Sequence, residues 1–188
     1  MEAREKILDA AVQVFSEAGS RGATTRRIAE VAGVNEVTLF RQFGCKERLL
    51  REALGRVSER PSSGGLPECP VAPEAELMRW AAGHLRELYA ASAWIRRSIG
   101  EFEEHPEVSA SSCAGPARVA LELRAYLTRL QGQGILAPDA DIAGAAAMLM
   151  GALFADAIGR DVVPDHYPFS IDEAAARYVR LFFRAISQ

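Results

Sequence analysis

The chain has 188 residues, 49% of them apolar and 25% charged, with a formal net charge of −3. That composition supplies a sizeable core and excludes global disorder, and the length suits one large domain or a small domain attached to a larger one. The charge is uneven: residues 1–60 hold eleven Lys and Arg against nine Asp and Glu, and residues 61–188 eleven against sixteen, so an acidic chain carries a mildly basic amino-terminal part without a polybasic tail.

Helical spacing runs through almost every long segment and no alternating strand stands out, which predicts an all-α protein of about nine helices. Ile7, Ala11, Val14 and Ala18 share one stripe, and Gly19 supplies a stop. Next comes "TTRRIAEVAGVNEVTLFRQF", Thr24 to Phe43, with Gly33 in its middle. Glycine inside a helix is ~1 kcal/mol worse than alanine, so it marks a turn between two short helices, Thr25 to Ala32 and Asn35 to Phe43. Ile28 and Ala29 then face inward, and Val34 and Leu39 plug the angle. Thr24 or Thr25 caps the first helix and Asn35 the second. Small, apolar and capping residues at this spacing form a helix-turn-helix pattern.

A further helix is expected from Lys46, burying Leu50, Ala53, Leu54 and Val57, followed by a loop at "PSSGGLPECPVAP", Pro61 to Pro73. Leu77, Ala81, His84 and Leu88 share the next apolar face. Trp94 to Phe102 reads as another helix, and one opening at Pro116 buries Val119, Leu123, Leu127 and Leu130 before Gly132 and Gly134. Between Asp141 and Gly159, the small residues Ala147, Gly151, Ala155 and Gly159 recur every four positions, which lets another backbone approach closely. Ser170 and Glu173 have capping-box spacing for a last helix presenting Ala175, Tyr178, Val179, Phe182 and Ile186 on one face.

The segment from Arg4 to Leu54, with "ILDAAVQVFSEAG", "TTRRIAEVAGVNEVTLFRQF" and "CKERLL", resembles the DNA-binding domain of the TetR (tetracycline-repressor-like) family of bacterial transcriptional regulators. The helical remainder resembles that family's regulatory domain only in outline, best in "GILAPDADIAGAAAMLMGAL". The expected division is a helix-turn-helix domain over residues 1–45 and a ligand-binding and dimerisation domain over 46–188, with 46–60 a connecting helix and 61–73 a loop. The second helix of such a motif lies in the major groove, and its early exposed residues here are Glu36, Val37, Thr38, Arg41 and Gln42. Val37 suits a thymine methyl, Glu36 a cytosine amine, and Arg41 or Gln42 can donate to bases. The resemblance also places Arg26 near bases and Thr25, Phe40, Gln42 and Lys46 against the DNA backbone. Phe40 departs from the family's usual tyrosine and lacks its hydroxyl.

A single motif reads few base pairs, so a homodimer on a double-stranded DNA operator is expected. The resemblance implies that the last two long helices form a four-helix bundle across the dimer, with Ala147, Gly151, Ala155, Tyr178 and Phe182 as interface candidates. It also implies a small-molecule effector among the middle helices, where Trp80, His84, Leu88, Trp94, Phe102 and Met148 are the candidate contacts. The blander reading makes these core residues, and His84 a core histidine with its hydrogen bonds satisfied. His84, His105 and His166 have no metal-ligand spacing, so neither metal nor cofactor is expected.

Cys45, Cys69 and Cys113 are odd in number and lack a C-x-x-C, which fits a reducing cytoplasm and no disulfide framework. They leave one alternative, a redox-responsive regulator; a protein-interaction adaptor that has lost DNA binding is another. An all-helical enzyme finds no support, since the acidic cluster Glu101, Glu103, Glu104 and Glu107 lacks matching histidines and no phosphate loop or nucleophile elbow occurs. No membrane association is expected: no signal sequence opens the chain, and the longest apolar run, Ile142 to Ala155, is short for a bilayer.

Overall fold

The computed structural model describes residues 2–59, 64–100 and 114–187; Phe102, His105, Cys113 and the acidic cluster from Glu101 to Glu107 lie outside them. The described residues form nine α-helices, a single 3-10 turn at Pro164–His166 and an isolated bridge between Leu136 and Ser187, with no strand. They fall into two compact units, one of residues 1–60 and 93–116, the other of 61–92 and 117–188.

The first unit begins with α1 (Glu2–Gly22), which buries Ile7, Leu8, Ala11, Val14 and Phe15. At Gly19 the backbone leaves helical geometry (φ 68°, ψ −173°), as the glycine stop predicts, and one more turn follows. Then come α2 (Thr25–Ala32), α3 (Glu36–Phe43) and α4 (Lys46–Glu59). Both α2 and α4 pack on α1, and α3 bridges all three. Lys46, expected to open the second domain, instead starts a helix that belongs to the first unit. Its Leu49, Leu50, Ala53 and Leu54 are at most 1% exposed, and its Arg56 pairs with Glu5 of α1 at 2.7 Å. The short helix α6 (Ser92–Gly100) lies almost wholly in this unit and buries Trp94 and Ile95.

The second unit is built from α5 (Pro73–Ala90), α7 (Ala114–Gly132) from Ala117 onward, α8 (Ile142–Gly159) and α9 (Ile171–Ile186). Helix α5 packs on α8 and α9, which also pack on each other. The core joins Leu77, Trp80, Ala81 and Leu85 of α5 to Leu123, Tyr126 and Leu127 of α7, Leu149 and Leu153 of α8, and Val179 and Phe182 of α9. The capping box at the start of α9 is complete, Ser170 and Glu173 each accepting from the other's amide.

The Pro- and Gly-rich loop is tied down where it is described. Leu66 is buried, and its amide donates to Glu122 Oε1 at 2.7 Å. Arg129 donates to the Pro67 carbonyl at 3.3 Å, and the Val71 and Ala72 amides donate to Glu76 Oε1 at 3.0 and 2.9 Å. The Ala72 amide, the Tyr126 hydroxyl and the Val71 amide together hold the Glu76 carboxyl below the usual glutamate range.

A second polar cluster closes the α8–α9 junction. Asp156 is fully buried, pairs with Arg160 at 2.7 Å and accepts from Tyr178 Oη at 2.6 Å. Arg160 in turn donates to the Phe169 carbonyl. Burial and the neighbouring carboxylate push the Tyr178 hydroxyl well above its ordinary value, so it acts as a permanent donor.

Candidate nucleic-acid interface

The geometry of Thr24 to Gly44 follows from three local constraints. Thr24 has extended backbone, and its side-chain oxygen accepts from the Arg27 amide at 3.2 Å, starting α2. Gly33 then adopts φ 66°, ψ 34°, a left-handed conformation that L-residues avoid. The amides of Gly33 and Val34 turn back to the Glu30 and Ala29 carbonyls. Asn35 caps α3 through its Oδ1, which accepts from the Val37 amide at 2.8 Å. Ile28, Ala29, Leu39 and Phe43 are at most 2% exposed and fill the angle between the two helices.

The outer side of α3 presents Val37 at 72% and Phe40 at 46% exposure, beside exposed Arg41 and half-buried Thr38 and Gln42. Two apolar side chains held in solvent among polar ones suit base edges and thymine methyl groups. Arg26 is exposed at the start of α2 and pairs with Glu30 at 3.1 Å.

Two expected phosphate ligands are already engaged within the chain. The Thr25 hydroxyl donates to Glu36 Oε1 at 2.5 Å, so Glu36 holds the start of α2 against the start of α3. Lys46 Nζ donates to the Ser20 carbonyl at 2.7 Å, fastening α4 to the end of α1. Lys46 keeps two further N–H donors, and Thr25 keeps its position at a helix N-terminus. Residue type and spacing gave no sign of either tie.

The effector candidates separate. Trp80 and His84 lie together in the second unit, their rings stacked with centroids 5.4 Å apart, and Leu88 is half-buried on the same helix. Trp94 is buried in the first unit. Met148 does not join them, because it is 57% exposed on α8. His84 is not the satisfied core histidine expected: it is buried, yet neither ring nitrogen has a hydrogen-bond partner among the described residues.

The interface candidates divide as well. Ala147, Gly151 and Ala155 are exposed along α8. Phe182 is not available, because it is 3% exposed inside its own core; its neighbour Leu181, at 66%, faces solvent instead. Tyr178 spends its hydroxyl on Asp156. Gly159 is small for an intrachain reason, since a Cβ there would meet the Tyr167 ring at 2.8 Å. Helix α8 runs past Asp156, whose buried carboxylate pairs with Arg160 at 2.7 Å, to Gly159. At 18 residues and a mean hydropathy of 1.7 it is, by length and composition alone, long and apolar enough to cross a membrane, and 33% of it is buried.

Two short helices set at an angle by a left-handed glycine, the second with its outer face in solvent, define a helix-turn-helix protein. Residues 7–53 match the family described as bacterial regulatory proteins, tetR family. The repressor AcnR of Corynebacterium efficiens is 39% identical over 72 residues, a match that spans 36% of this chain and 38% of that protein. Among solved structures, a TetR transcriptional regulator from Agrobacterium tumefaciens superposes with a TM-score of 0.79 at 20% identity, covering 100% of this chain and 96% of that one. The TetR-family regulator PfmR of Thermus thermophilus gives 0.72 at 26% identity, covering 95% and 97%. Residues 7–53 therefore form the amino-terminal helix-turn-helix domain of the tetR family, and over its whole length the chain has the fold of TetR-family regulators.

Proposed function

We propose that this chain is a homodimeric, sequence-specific repressor in the bacterial cytoplasm, released from its DNA operator by a small apolar or amphipathic effector. The observation that carries the reading is the α2–Gly33–α3 unit, which holds Val37, Thr38, Arg41 and Gln42 on one outward face beside Arg26. Thr25, Phe40 and Lys46 flank that face as backbone contacts, and Glu36 both orients Thr25 and borders the bases. The matched relative AcnR is named as a repressor, which favours repression over activation.

Dimerisation is supported by the outer side of α8. Ala147, Met148, Gly151 and Ala155 are exposed there, on a helix apolar all round. Such a helix is stable in water when both of its sides are covered. A second copy supplies the cover and pairs two reading helices with successive major grooves. Sedimentation at micromolar concentration is expected to give a dimer; a monomer rejects this part of the reading.

Release requires an effector that binds a DNA-incompetent geometry better than the DNA-competent one, because equal affinity shifts nothing. Purified protein is titrated against its own upstream DNA at two salt concentrations, with unrelated DNA as control. Tighter binding to the upstream fragment with steep salt dependence is expected. Equal, weak binding to both fragments, together with no enrichment from a genomic-fragment selection, rejects DNA recognition and favours the adaptor reading.

A further inference from the structure

Among the described residues of the first unit, Val37 is the most exposed large apolar side chain, at 72%. One apolar residue in solvent is ordinary on any surface, but neither the helix nor the core accounts for this one. Valine is a poorer helix former than alanine, lysine or glutamate, and at this exposure it covers little of its own chain.

Its place is nonetheless fixed. The Val37 amide donates to Asn35 Oδ1 at 2.8 Å, and Oε1 of the preceding Glu36 accepts from the Thr25 hydroxyl at 2.5 Å. A β-branched side chain has one strongly preferred rotamer in a helix. The two methyl groups of Val37 are therefore held outward in a set direction, and docking them orders little. Phe40, one turn on and 46% exposed, carries no polar group and extends the apolar surface.

In the major groove the base edges present hydrogen-bond donors and acceptors and one apolar group, the methyl on C5 of thymine. A valine side chain neither donates nor accepts, so that methyl is the feature it can read. Cytosine and uracil have only a hydrogen at C5. 5-Methylcytosine carries the same methyl at the same place in the groove. A contact made to the methyl alone accepts thymine and 5-methylcytosine alike, and separates both from their unmethylated counterparts.

We propose that Val37 recognises a pyrimidine 5-methyl group, so that affinity at that position follows the methyl rather than the base pair carrying it, and rises when a cytosine placed there is methylated at C5. This rests on the DNA-binding reading above and adds a covalent state of the DNA to what the chain discriminates.

The test uses the full-length protein and a randomised duplex pool, from which a bound motif is selected. Each thymine of that motif is then replaced singly by deoxyuridine, by cytosine and by 5-methylcytosine, with the opposite base matched, and affinities are read by gel shift at one salt concentration. At one or more thymine positions, deoxyuridine is expected to bind about fourfold more weakly than thymine, as burial of one methyl group allows. At the same position, 5-methylcytosine is expected to bind about fourfold more tightly than cytosine. Val37→Ala changes an exposed side chain to a better helix former, so it is expected to fold as the parent does by circular dichroism and to bring both ratios close to one. Lys46→Ala is expected to weaken all the duplexes and to keep both ratios. Thymine and deoxyuridine bound alike at every position, cytosine bound as tightly as 5-methylcytosine, or ratios unchanged in Val37→Ala overturns the proposal, while the selected motif keeps the DNA-binding reading. A pool that yields no motif overturns both.

Discussion

A single methyl group at Gly33 tests what sets the turn between α2 and α3. The residue sits at φ 66°, ψ 34°, where an L-residue pays roughly 1–2 kcal/mol relative to right-handed backbone. A Cβ there meets no atom within 4 Å, so Gly33→Ala carries no steric penalty and its whole effect is conformational. Gly55 is the internal control. It lies inside α4, a Cβ there also meets nothing within 4 Å, and alanine is favoured over glycine in a helix interior by ~1 kcal/mol. The two substitutions therefore have opposite signs: Gly33→Ala destabilises by roughly 1–2 kcal/mol, and Gly55→Ala stabilises by about 1. Urea denaturation followed by circular dichroism reads both, as midpoint shifts at unchanged slope. Specific DNA affinity of Gly33→Ala is measured beside it, and a fall larger than the loss of folded protein shows that the turn has opened. If Gly33→Ala is as stable as the parent, or gains stability as Gly55→Ala does, left-handed backbone is not what fixes the angle between the helices.

Four other perturbations address separate parts of the molecule. Lys46→Ala is expected to weaken binding to all DNA sequences and to lower the log–log salt slope by about 0.9, whereas Thr38→Ala changes operator preference; gel shifts on operator variants at matched salt separate the two. Glu36→Gln removes a negative charge from the proposed DNA-facing side and keeps an acceptor for the Thr25 hydroxyl, so unrelated DNA is expected to bind more tightly with the start of α2 intact. Asp156→Asn leaves Arg160, 14% exposed, without its counter-charge, and urea denaturation is expected to show a loss of about 3 kcal/mol, in the range for breaking a buried pair. His84 is held neutral by burial against Glu87 and Glu122; because the unfolded chain takes up its proton first, stability falls as pH drops below about 6.5, and His84→Phe is expected to flatten that slope in thermal melts between neutral and mildly acidic pH.

The amino-terminal motif is legible in the sequence because its constraints are local. A cap, a left-handed glycine and a second cap lie within Thr24–Asn35, and each leaves a residue type that almost no other purpose requires at that spacing. Hydrogen bonds between distant residues leave no such mark. Thr25 and Glu36 are eleven residues apart, Lys46 and Ser20 twenty-six, and both Thr25 and Lys46 read as free phosphate ligands until the helices are set against each other. The loop after α4 shows the same limit. Its prolines and glycines predict irregular backbone, which is found, but only the fold brings Glu122 and Arg129 of α7 to its amide and carbonyl.

In the carboxy-terminal helices, periodicity tells which residues share a face and not what covers that face. Ala147, Gly151, Ala155 and Gly159 follow one four-residue rhythm, yet the first three lie in solvent and the last makes room for the Tyr167 ring. Helix α9 has a strong polar side, so its apolar face is spent once, on its own core. Ala175, Val179, Phe182 and Ile186 all point there, which is why Phe182 has nothing left for a second copy. Helix α8 has no polar side. One part of it meets α5 and α9, and the rest, with Met148 at 57% exposure, remains apolar and open. A helix uniform in hydrophobicity needs two covers, and the chain's own core supplies one. The small side chains of the other part set no side-chain barrier to a close approach, which is the physical ground for proposing the uncovered strip from Ala147 to Ala155 as the seat of a second copy of α8.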